Sequence, residues 1–75
     1  MSEFPSEADA KLVYMVNQIA KFFATQAHDE AVSGIENHIR KFWDPRMRTK
    51  IVSLAVAGGS GLDPLAQAAV RRLSV

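Results

Sequence analysis

The sequence predicts an all-α protein, a small four-helix domain with short loops. Three observations point there. Apolar residues recur at helical spacing in four separate stretches, and nowhere do they alternate with period two as a half-buried strand requires. Between the stretches lie strong breaks: Asp44-Pro45, Gly58-Gly59-Ser60-Gly61 and Asp63-Pro64.

The first helix is expected over about residues 7–25, after a flexible N-terminus of residues 1–6. Ser6 followed by Asp9 resembles a capping box, with Asp in place of the usual Glu or Gln. Leu12, Val16, Ile19 and Phe23 form its apolar stripe, widened by Met15 and Phe22, and Tyr14, Asn17, Gln18 and Lys21 fall opposite. Residues 25–29 read as a turn containing His28, with Asp29 as cap of a second helix over about 29–43. Ala31, Ile35, His38 and Phe42 share one face there, flanked by Val32, Ile39 and Trp43, and Glu36 and Arg40 pair four residues apart. Gly34 costs this helix ~1 kcal/mol relative to Ala. A later start at Ser33, with Glu36 completing a capping box, is the alternative.

Asp44 and Pro45 suit the cap and first position of a third helix, about 45–57. Met47, Ile51, Leu54 and Ala55 make one stripe and Val52 and Val56 a second, so this helix is apolar over a wide arc. The glycine run ends it, and Asp63-Pro64 starts a fourth helix over 64–73 that turns Leu65, Ala69, Val70 and Leu73 inward.

Seventy-five residues suffice for one domain, and a chain of this size buries only about 60% of its unfolded surface. No cysteine is present to add a disulfide or to hold zinc or an iron–sulfur cluster, and the only histidines are His28 and His38. No apolar run approaches the ~18 residues of a membrane span, and Met1-Ser2-Glu3-Phe4-Pro5 lacks the basic, apolar start of a signal segment. The expected location is the cytoplasm.

Little in the sequence asks for catalysis. The glycine run lacks the Lys-Ser/Thr ending and preceding strand of a phosphate loop, and terminates a helix instead. His38, with no second His, Cys or Asp at ligand spacing, reads as a core or interface histidine rather than a metal ligand or proton carrier. The carboxylates sit at chain ends, caps or first turns, and Glu36 is matched by Arg40, so none is left for an acid–base pair. A standalone enzyme is not expected.

Charge is divided along the chain. Residues 1–39 hold two bases and six acids, whereas residues 40–75 hold seven bases and two acids. Arg40, Lys41, Arg71 and Arg72 suit helix C-termini, but Arg46, Arg48 and Lys50 crowd the start of the third helix, where the helix dipole opposes them. Something other than helix stability is expected to keep them there. Trp43 beside them is the residue type of an interface anchor, or else completes a small core. The second apolar stripe of the third helix also favours a protein partner and leaves self-association of the isolated chain open. A nucleic-acid-binding module using the Arg40–Lys50 cluster is the alternative, although the pI of about 8.2 is modest and only Gln67 in the last helix could read a base edge.

Asn17-Gln18-Ile19 with Phe22-Phe23, then His38-Ile39-Arg40-Lys41-Phe42-Trp43-Asp44-Pro45-Arg46-Met47-Arg48, resembles the delta subunit of soluble NAD-dependent formate dehydrogenases. Gly61-Leu62-Asp63-Pro64-Leu65 and Ala69-Val70-Arg71-Arg72-Leu73 extend the resemblance to nearly the whole chain. It implies a cofactor-free accessory subunit docking on a large alpha subunit to support assembly, cofactor insertion or stability. That complex is expected to use a bis-pterin molybdenum or tungsten centre, iron–sulfur clusters, flavin and NAD, none of them held by this chain. The family supplies no catalytic residues. The expected partner-binding residues are Asn17, His38, Arg40, Phe42, Trp43, Asp44, Pro45, Arg46, Arg48 and Lys50.

Overall fold

A computed structural model describes residues 7–59 and 61–73. The Ser6 cap, the N-terminal segment 1–6 and Ser60 lie outside the described residues. Four helices follow one another: α1 (Glu7–Phe23), α2 (His28–Phe42), α3 (Pro45–Val56) and α4 (Pro64–Leu73). No strand occurs among the described residues. α1 and α4 each pack on all three other helices, whereas α2 and α3 barely meet.

The breaks act as their chemistry demands. At α3 the Met47 N–H donates to Asp44 Oδ1 at 2.9 Å, and Pro45 occupies the first turn, where its missing N–H is harmless. At the other end of α3 the Gly58 N–H donates to the Ala55 carbonyl and the Gly59 N–H to the Leu54 carbonyl. This is a Schellman motif, and the positive φ of both glycines (125° and 66°) makes it possible. α4 is entered from Asp63, whose carbonyl accepts the first helical bond from the Gln67 N–H at 2.8 Å.

Four boundaries differ from expectation, of which the ends of α2 at Phe42 and α3 at Val56 fall one residue early. α1 stops at Phe23, two residues early, in a turn closed by Gln26 N–H donating to the Phe23 carbonyl. α2 begins at His28, with Ala27 as a cap that has no side-chain bond, so Asp29 belongs to the first helical turn together with Glu30. Carboxylates there favour the positive helix end without acting as the cap. α2 also runs unbroken through Ser33, which removes the later start.

The buried faces are rotated from the expected stripes. In α1 the buried side chains are Asp9, Val13, Val16 and Ala20, while Leu12, Met15, Ile19 and Phe23 line the margin and Phe22 is 77% exposed. In α2 they are Ala31, Val32, Ile35 and Ile39, with Phe42 71% exposed and His38 half-buried. In α4, Ala66, Ala69 and Val70 are buried, and Leu65 and Leu73 lie at the edge. Small residues at the centre of each interface let the helix axes approach closely, and the large side chains close the sides. Gly34 belongs to the same seam, since a Cβ there would lie 2.6 Å from the Phe23 ring.

Candidate protein-binding surface

The corner between α2 and α3 carries most of the residues expected to bind a partner, and the structure sorts them into three groups. The first group serves the fold. Trp43, the candidate interface anchor, is only 5% exposed and belongs to the core cluster with Ile39, Ile51 and Val70. The indole is consumed internally and presents no surface. Asp44 caps α3. Asn17, expected on the outer face of α1, instead reaches the loop before α4. Its Nδ2 donates to the Gly61 carbonyl at 2.8 Å, and its Oδ1 accepts from the Asp63 N–H at 2.9 Å.

The second group consists of cations tied to helix ends or carboxylates. Arg40 Nε donates to Glu36 Oε2 at 3.1 Å, and its Nη2 donates to the Arg72 carbonyl in the last turn of α4 at 3.3 Å. Arg48 Nη1 donates to the Arg40 carbonyl in the last turn of α2 at 3.3 Å. Both arginines therefore sit on the negative ends of neighbouring helices, where a cation is favoured. Arg72 adds Nη1 contacts to Ser33 Oγ at 3.2 Å and Glu36 Oε1 at 3.8 Å. Lys50 lies 3.6 Å from Asp9 across the α1–α3 contact. Arg48 and Lys50 thus have partners outside the helix that carries them. They oppose the dipole of α3 but satisfy other elements that the sequence does not place beside them. These half-exposed pairs each contribute up to about 1 kcal/mol.

The third group faces solvent. Arg46 and Lys41 are exposed and have no ion pair or side-chain hydrogen bond among the described residues. Phe42 is exposed, with its ring against His38 at a centroid distance of 4.8 Å. Pro45 is exposed and opens a groove of about 680 Å³ along α3, lined by Thr49, Val52, Val56, Arg40, Arg48 and Leu73 among others. Val56 is 79% exposed. The sequence shows the Val52–Val56 stripe, but the part played by Thr49 and Leu73 appears only once α4 is packed beside α3.

Among the described residues no three His, Asp or Glu side chains gather as a metal site, and no helix is long and apolar enough to cross a membrane. Nor does any buried side-chain polar atom among them lack a partner. Fold and surface thus define a small helical protein whose distinctive external feature is a cation-bordered groove. The model of the NADH-dependent formate dehydrogenase delta subunit family, FdsD, matches residues 11–70. The chain belongs to that family, and membership implies protein partners within a formate dehydrogenase complex. The match runs from the second turn of α1 into α4 and includes the whole α2–α3 corner. No curated protein and no solved structure matches the chain.

Proposed function

We propose that the chain is a non-catalytic accessory subunit that docks on the large metal-containing alpha subunit of a cytoplasmic formate dehydrogenase. There it supports assembly, insertion of a molybdenum or tungsten cofactor, or stability of the complex. The observation that carries this reading is the family match across all four helices. The sequence agrees with it: with no cysteine the chain can supply no thiolate to an iron–sulfur cluster.

The test is recovery of tagged protein from its native host, with identification of what co-elutes and an assay of formate-dependent NAD reduction. Co-elution of the large subunit with activity is the result expected of a resident subunit. Co-elution with an inactive, metal-poor form assigns the chain to maturation instead. Nucleic acid alone, or an empty eluate, refutes the accessory role.

A further inference from the structure

We infer that the outward groove of α3 is the docking face for the large subunit, and that its occupant is an amphipathic helical segment with an apolar stripe flanked by acidic residues. The inference rests on the accessory-subunit reading and adds to it a face and a chemistry.

The spacing on α3 carries the first half. Pro45, Thr49, Val52 and Val56 follow one another by four, three and four residues, which puts them on one side of the helix. The core stripe of Ile51 and Ala55 lies on another side and is already buried. α3 therefore carries a second face that this domain covers only at Val52, which packs against the core, and leaves open at Pro45, Thr49 and Val56. Its twelve residues span roughly 18 Å, about the length of a three-turn partner helix. Leu73 from α4 and the Arg40 side chain from α2 form the opposite wall, so the feature is a trough and not a flat patch. The other large exposed apolar side chains, Tyr14, Phe22 and Phe42, line no part of this groove.

Charge carries the second half. α3 contains no acidic residue, and none lines the groove. Arg48 on α3 and Arg40 on the facing wall both line it, and Arg46 extends the adjoining surface with Lys50. Arg40 and Arg48 use only some of their five N–H donors on the helix ends, which leaves donors for an incoming carboxylate. An apolar stripe bordered in this way repels a basic segment and aligns an acidic one.

Binding of the full-length chain to the large subunit would be measured for wild type, Val56→Glu, Thr49→Glu, Arg46→Glu and the control Tyr14→Glu. Tyr14 is 63% exposed on α1, away from the groove. All four positions are exposed, and circular-dichroism melts would check that each variant keeps its fold. The expected result is a loss of about tenfold for Val56→Glu and for Thr49→Glu, the scale of a central interface position. Arg46→Glu loses about threefold and weakens the salt dependence of binding, and Tyr14→Glu binds like wild type. Wild-type affinity in both Val56→Glu and Thr49→Glu overturns the face while leaving the accessory role intact. Failure of the wild-type chain to bind overturns both. A wild-type homodimer that Val56→Glu dissociates shows that a second copy fills the groove and overturns the proposed occupant.

Discussion

Asn17 shows how a single side chain can govern a connection. Its amide offers a donor and an acceptor in a fixed plane, and the loop before α4 presents the Gly61 carbonyl and the Asp63 N–H to match. That N–H belongs to the residue that opens α4, so the amide of one helix fixes where another begins. Asn17→Ala is expected to cost about 1–2 kcal/mol, because two backbone groups lose their partner at once. Asn17→Asp keeps the acceptor but turns a carboxylate oxygen toward the Gly61 carbonyl, and should be at least as damaging. Urea unfolding with an unchanged m-value checks both variants. Helical periodicity assigns Asn17 to the solvent side because it registers direction around one axis. It carries no information about a loop forty-four residues away. Arg48 is the same case, unfavourable on its own helix and favourable on the end of another.

The four elements themselves were legible, because their punctuation is chemical and local. Asp44 before Pro45 caps α3, and Gly58-Gly59 closes it whatever the remainder of the chain does. The faces were less legible. The expected stripe of α1 runs through Leu12, Val16, Ile19 and Phe23, whereas the buried line runs through Val13, Val16 and Ala20 and shares only Val16 with it. How close two helices come is decided by the smallest residues between them, and that depends on both partners. Gly34 tests this directly. Replacing it with Ala in the wild-type chain sets the gain in helix propensity against the Phe23 ring 2.6 Å from the new methyl. We expect a net loss of about 1 kcal/mol as the ring is forced from its place. In a Phe23→Ala background the same substitution should stabilise by up to about 1 kcal/mol, since only propensity remains. A double-mutant cycle in urea reads the change of sign. Stabilisation in both backgrounds would show that the ring moves aside freely.

At the scale of the whole molecule, a 75-residue domain commands roughly 4–11 kcal/mol of stability, so one large core side chain is a considerable part of it. Trp43 is that side chain. Trp43→Ala should cost about 3–5 kcal/mol and melt far below the wild-type chain, whereas Trp43→Phe should lose much less. Circular-dichroism melts separate the two, and a cooperative Trp43→Ala melt near the wild-type midpoint would exclude a core role for the indole. A saturating partner can restore part of the loss, about 2.7 kcal/mol at a hundred times its dissociation constant. The segment around Trp43 lies at the α2–α3 corner, but its composition could not show which side chains turn inward. Trp43 and Asp44 hold the corner together, and Arg46 and Pro45 face outward from it.

α3, with one apolar side against the domain and another turned away from it, has a consequence for how the chain tolerates change. Ile51 and Ala55 are tested by folding each time the protein is made. Thr49 and Val56 bear little on that step, because their side chains lie outside the core. If the groove docks as proposed, a substitution at either can leave a well-folded delta chain in hand and still be a defect, one that a survey of expression or melting passes over and only the assembled dehydrogenase brings to light.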